Sequence, residues 1–145
     1  MRAAENLCKP LIKYELMSNV LLNHQYYSFE LHQGNSILKL DWTEETASMT
    51  DQDFKDCLLT FARLADEHKI EKLWVDGERY KYHTADELMA WRKNTIIPKF
   101  QKSGVKKLAF QVGVGGKMMP PSVTKTGLHT ESFETKADAL EWLKA

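Results

Sequence analysis

Residues 26–42 constrain the fold more than any other stretch. Tyr27, Phe29 and Leu31 alternate with Tyr26, Ser28, Glu30 and His32. After Gly34-Asn35, the residues Leu38, Leu40 and Trp42 alternate with Ile37, Lys39 and Asp41. Strand side chains point alternately to the two faces, so each half reads as a strand with one apolar face. A two-residue turn that opens on glycine suits a type II′ hairpin. That turn sets Leu31 opposite Leu38, Phe29 opposite Leu40 and Tyr27 opposite Trp42, with Glu30 opposite Lys39 on the other face. Three apolar pairs on one side and an ion pair on the other make a self-consistent hairpin.

Strands and helices alternate after it. Thr50 stands three residues before Asp53, a capping-box start, and Asp51 favours the positive helix end. Phe54, Cys57, Leu58, Phe61, Leu64 and Ala65 follow at helical spacing and predict a helix over 51–68. Leu73-Trp74-Val75, ended by Asp76-Gly77, reads as an interior strand covered on both faces. A second capping box, Thr84-x-x-Glu87, opens a helix with Leu88, Met89, Trp91, Ile96, Ile97 and Phe100 on its buried side. Pro98 distorts or ends that helix. Leu108 to Val114 is another buried strand, closed by Gly113, Gly115 and Gly116. Pro120-Pro121-Ser122 reads as the start of a short helix with Gly127 as its stop. Leu128 to Phe133 is the final strand, and Thr135-x-x-Asp138 caps a last helix bearing Ala139, Leu140, Trp142 and Leu143.

The order β-β-α-β-α-β-α-β-α implies right-handed crossovers and a mixed, mainly parallel sheet with helices packed on it. The class is α/β, with the hairpin adding one antiparallel strand at an edge. A chain of 145 residues suits one domain. Residues 1–19, broken by Pro10, read as an N-terminal arm, and residues 20–145 as the domain. Met17-Ser18-Asn19 also reads as an alternative translation start.

Several function classes are excluded on sequence grounds. Lys plus Arg and Asp plus Glu both number 20, so no nucleic-acid partner and no acidic-tail role are expected. Cys8 and Cys57 share no short spacing, which fits a reducing, cytoplasmic setting; Cys57 falls on the helix stripe and reads as a core thiol. The five histidines form no H-x-x-x-H pattern, so neither metal nor cofactor is expected. Apolar runs are too short for a membrane span, and no apolar segment follows Arg2 as a secretory leader would require. The G-x-S-x-G elbow is absent. Asp76 and His83 offer an acid and a base, but the pattern places no nucleophile beside them. Asp41, Glu44 and Glu45 read as the approach to a helix. No catalysis is expected.

Two loops and two charged stretches remain as candidates. In open α/β sheets, ligands favour loops beyond the carboxyl ends of parallel strands. One such loop runs from Asp76 to His83 and carries Arg79, Tyr80, Lys81 and Tyr82, with Arg79 and His83 as anion donors. The other, residues 113–121, sets Lys117 and Met118-Met119 after a glycine-rich turn; its spacing fits neither a Walker A loop nor G-x-G-x-x-G. Met118 and Met119 would form an adaptable lid. Residues 41–56 hold six acids against Lys55, whereas residues 92–107 hold six cations and no acid. Opposed charge of this kind suits self-association or partner docking.

Three stretches carry a family resemblance. They are Leu40-Asp41-Trp42-Thr43 followed by Met49 to Phe54; Leu73-Trp74-Val75-Asp76 with Trp91 and Pro98 after it; and Phe133 to Leu143, similar to an F-x-[ST]-x-x-x-A-x-x-W-L tail. Together with the element order they resemble uncharacterised bacterial STAS-like proteins of the SpoIIAA-like fold, which is shared with the C-terminal half of CRAL-TRIO domains. The resemblance spans about residues 20–145 and rests mostly on core and capping positions. Antagonist-type STAS domains carry a phosphorylatable Ser in a D-S-S-G-like motif. Thr84 is its positional counterpart here, without that motif, and is the candidate phosphoswitch. The resemblance implies a non-catalytic binding or regulatory module acting through protein–protein contacts, self-association included. The alternative is a carrier of a small apolar or anionic ligand, with Tyr80, Tyr82, Met118 and Met119 as the wall of a pocket between the 77–83 and 113–121 loops.

Overall fold

The computed structural model describes residues 18–145 apart from Gln33, Asn35 and Thr126. The expected start at Met17 and nearly all of the expected arm lie outside the described residues. A first strand, β1 (Ser18–Asn23), crosses the expected boundary at residue 19 and pairs antiparallel with β2 (Tyr27–His32). The hairpin is therefore inside the sheet rather than at its edge, because β1 occupies the outer side of β2.

The pairing of β2 with β3 (Ile37–Trp42) has the register that the alternation dictates: Tyr27 with Trp42, Phe29 with Leu40, Leu31 with Leu38 and Glu30 with Lys39. Gly34 has φ 67°, which glycine adopts at no steric cost. The ion pair expected across the strands does not form. Lys39 turns to Asp41 and Asp76, and Glu30 lies 3.6 Å from His32.

A 3-10 turn (Glu44–Ser48) leads to α1 (Asp51–Glu67). The capping box is complete: Thr50 Oγ1 accepts from the Asp53 N–H at 3.2 Å and the Asp53 carboxylate accepts from the Thr50 N–H at 2.8 Å. The strand β4 (Lys72–Asp76) precedes a longer helical stretch made of α2 (Asp86–Trp91), a π-helical segment (Arg92–Ile96) and α3 (Ile97–Ser103). Pro98 distorts this stretch without ending it. Its nitrogen cannot donate and its ring crowds the carbonyl four residues back. The widened turn absorbs both effects, with the Ile97 N–H reaching the Arg92 carbonyl five residues back.

The chain continues as β5 (Lys107–Gln111), β6 (Ser122–Val123), β7 (His129–Phe133) and α4 (Lys136–Lys144). The helix expected at Pro120-Pro121-Ser122 is a correction: the segment is extended and ends in β6, which pairs with β7. A residue that precedes proline is pushed out of the helical region, and here both Met119 and Pro120 do so.

The seven-stranded sheet has the order β1-β2-β3-β4-β5-β7-β6, with β3, β4, β5 and β7 mutually parallel. Leu38, Leu40, Leu73 and Leu108 point to the face that α1 and the longer helical stretch cover, meeting Phe61, Ile96 and Phe100. Fully burying a side chain of this size stabilises by ~1.5–3 kcal/mol. On the opposite face, α4 seats Ala139 and Leu143 against Ile37, Trp74 and Ala109. Thr135 caps α4 by accepting from the Asp138 N–H at 3.2 Å. Among the described residues, no helix is long and apolar enough to cross a membrane.

Candidate functional site

The parallel register brings the carboxyl ends of three strands level, with Asp41 beside Asp76 and Asp76 beside Gln111. Side-chain alternation then sorts the chemistry by face. Val75 and Phe110 point to the helix side, with Trp42 one step further out, whereas Asp41, Asp76 and Gln111 point to the other.

The helix side holds a cavity of about 480 Å³ beneath both candidate loops. Its walls include Trp42, Val75, Phe110 and Met89, and its rim Tyr80, Thr84, Lys117 and Met119. Trp42 is stacked on Phe54, ring centroids 5.9 Å apart, and meets the edge of Tyr80 at 5.0 Å. The Tyr80 hydroxyl lies 2.5 Å from Thr84 Oγ1, and burial pushes its pKa up to about 12, so it acts as a neutral hydroxyl. Ser132 Oγ fixes the other loop, accepting from the Met119 N–H at 2.9 Å and donating to the Met119 carbonyl at 3.0 Å. A second, larger groove of about 700 Å³ runs between the α2–α3 stretch and β6–β7. Met89, Arg92 and Phe110 line both spaces.

Arg92 is the unusual member of this wall. It belongs to the π-helical segment, four residues after buried Leu88 and four before buried Ile96, so it occupies an apolar stripe. Its guanidinium carbon stands 5.3 Å from the Phe110 ring centre. Its Nε is buried without a hydrogen-bond partner, and no carboxylate among the described residues pairs with it. Burial lowers its pKa, yet a guanidinium stays charged near neutrality. Asp86 is the one carboxylate lining the cavity.

The other face of the strand ends is a polar cluster. Lys39 is buried, with its Nζ 3.6 Å from Asp41, 3.7 Å from Asp76 and 4.3 Å from the Trp74 ring centre. Burial pushes the Asp76 carboxyl above its ordinary range, and Asp41 adds to that; the Glu78 N–H and Lys39 oppose it. Asp76 accepts from the Glu78 N–H at 3.1 Å, Gln111 donates to the Glu78 carboxylate, and Trp74 Nε1 donates to Gln111 at 3.0 Å. These bonds anchor the loop that leads to Tyr80.

The candidate residues therefore divide. Tyr80, Thr84 and Lys117 line the cavity together. Asp76 belongs to the polar cluster, and its carboxylate bonds to the Glu78 N–H and Lys39 rather than to His83. Arg79 is exposed and pairs with Asp41 at 3.2 Å. Tyr82 donates to Asp51, His83 is exposed, and Met118 is 49% exposed while its neighbour Met119 faces the cavity. Thr84 is not a helix cap: Ala85 holds that position without a side-chain bond, because the Thr84 hydroxyl is engaged by Tyr80. Cys57 is buried and burial raises its thiol pKa well up, which disfavours the nucleophilic thiolate. Among the described residues, no group of three or more His, Cys, Asp or Glu is placed to hold a metal ion.

Reading by periodicity overlooked Arg92, Lys39, Trp42 and Phe110 as site residues. The signal for Arg92 was present: a cation at the i+4 position of Leu88 and the i−4 position of Ile96 sits where an apolar residue belongs. The acidic 41–56 and basic 92–107 stretches are joined by no ion pair among the described residues, although their apolar side chains, Trp42 and Phe54 with Ile96 and Phe100, share one core; Lys55 lies over Trp91, just before the basic stretch, with Nζ 5.5 Å from the ring centre.

No family model matches the chain, and no match is found among curated proteins or among solved structures.

Proposed function

We propose that the chain is a single-domain, STAS-like binding module without catalysis, and that its ligand is a small molecule held in the cavity at the strand ends. The parallel β3-β4-β5-β7 order supports the fold assignment. The observation that carries the function is the cavity itself. Its volume of about 480 Å³ lies within the range of small-molecule sites, its walls are aromatic and aliphatic, and a few polar groups converge at its rim. It also lies where an open α/β sheet collects ligands.

Titration with the neutral apolar fluorophore N-phenyl-1-naphthylamine tests this. One-to-one binding is expected, weakened at least tenfold by Val112→Trp, which fills the cavity, and little changed by Val123→Trp, which fills the larger groove. Absence of binding, or a block by Val123→Trp alone, would overturn the assignment.

A second reading is self-association through the opposed charges, favoured by the lack of any ion pair joining the two stretches. It predicts a dimer by sedimentation at low salt that dissociates at high salt, since exposed charges are screened within about 10 Å at 0.1 M salt. A monomer at both would remove it.

A further inference from the structure

Resting on that reading, we propose that the ligand is a monoanion, a carboxylate on a compact apolar body, and that Arg92 receives the carboxylate. Arg92 is half-buried, and taking its Nε out of water without a partner is costly. An apolar residue at this position would continue the stripe from Leu88 to Ile96 and fill the same wall. Arg92 instead stands at the cavity with an unpartnered buried Nε and no internal carboxylate. The stacking on Phe110 gives the guanidinium a defined seat without using its N–H donors. Those donors form a planar fork that matches a carboxylate in two parallel bonds.

The charge of the lining sets the charge of the ligand. Arg92 and Lys117 contribute two cations and Asp86 one anion, so a single negative charge neutralises the site and a phosphate dianion would overshoot it. Tyr80 and Thr84 add hydroxyls without charge. The remaining walls, Trp42, Val75, Met89 and Phe110, accept only apolar surface. An aryl or branched carboxylate fits both requirements.

The experiment compares three probes with one ring system: 2-naphthoate, 2-naphthamide and 2-naphthylmethylammonium, titrated calorimetrically at neutral pH. Wild-type protein is expected to bind the naphthoate at least tenfold more tightly than the amide, with the ammonium weakest. Arg92→Gln should bring naphthoate down to the affinity of the amide and leave the amide within about twofold, as expected when one charge-assisted pair is lost. Arg92→Lys, which keeps the charge and loses the fork, should fall between. Thermal unfolding of each variant verifies folding, and Arg92→Gln is expected to be at least as stable as wild type. Equal binding of naphthoate and amide, or an equal loss of both in Arg92→Gln, would overturn the charge assignment while the cavity stands. If none of the three probes binds, the cavity reading fails and this inference falls with it.

Discussion

Replacing Lys39 with methionine tests the physical basis of the loop scaffold. The substitution retains the length of the side chain beside Trp74 but removes the cation between Asp41 and Asp76, which lies 3.6 and 3.7 Å from their carboxylates. Breaking one member out of a buried ion network leaves uncompensated charge, at about 3–5 kcal/mol. The two aspartates retain some solvent contact, so the lower end, about 3 kcal/mol, is expected at neutral pH. The penalty must also depend on pH. Asp76 has a raised pKa in the fold, so the native state holds that proton more tightly than the unfolded chain, where the ordinary value is 3.8. Stability from the protonated form is present at low pH and is lost as pH rises from that ordinary value through the raised one. Lys39 opposes the raising, so its removal widens the window and steepens the loss. Urea unfolding followed by tryptophan fluorescence, repeated from neutral pH down to about pH 4.5, should therefore show the variant's deficit shrinking with acidity. Adding Asp41→Asn and Asp76→Asn to Lys39→Met should recover most of the deficit, since the charges that lost their partner are gone. A variant within about 0.5 kcal/mol of wild type at neutral pH, or a deficit that acid does not reduce, would refute the reasoning: surface substitutions fall in that range.

Two further outcomes follow from the loops. A Cβ at Gly116 would sit 2.3 Å from the Val112 carbonyl oxygen, whereas at Gly115 it would meet open space but a φ of 81°. Gly115→Ala should cost about 1 kcal/mol from left-handed backbone alone, and Gly116→Ala distinctly more, read as a larger drop in Tm; the reverse order would contradict the turn geometry. Tyr80→Phe and Thr84→Ala remove the same hydrogen bond from opposite ends, so each should cost about 1 kcal/mol and the double variant little more than one of them. Additive losses in the double-mutant cycle would mean that Thr84 acts elsewhere, for instance as a helix cap.

The contrast between what could and could not be read in advance has a physical origin. Burial alternation within a hairpin is a local rule, so the pairing from Tyr27–Trp42 to Leu31–Leu38 was legible to the residue. The Thr50 and Thr135 caps were legible for the same reason, since partners three residues apart meet in any helix start. Thr84 satisfied the same pattern and failed it, because a tyrosine four residues upstream competed for the hydroxyl. β6 was missed because a strand of two exposed residues exists only through its neighbour, and β1 because Val20-Leu21-Leu22 shows no alternation and its pairing with β2 shifts register between Val20 and Leu22. Lys39 was placed correctly on its face, but the choice among Glu30, Asp41 and Asp76 is a matter of distance across strands that periodicity does not encode.

The candidate site repeats this lesson at the π-helical segment. Pro98 announces a disturbance, and the structure resolves it by widening the turn just upstream, where Arg92 sits. With the regular i→i−4 ladder interrupted there, the guanidinium comes to lie over Phe110 and at the wall of the cavity. Neither feature means much alone. A proline inside a helix is often only a kink, and an arginine on an apolar stripe is often a snorkelling side chain with its head in water. Arg92 shares the half-buried stem of the second case but differs in one respect: its Nε is buried and unpartnered. The conjunction of a proline, a widened turn and a cation four residues from buried neighbours on either side is what singles Arg92 out as the position on which the proposed ligand site is tested. It is also readable from sequence once the helix has been placed: Leu88, Arg92, Ile96 and Pro98 are the positions that state it.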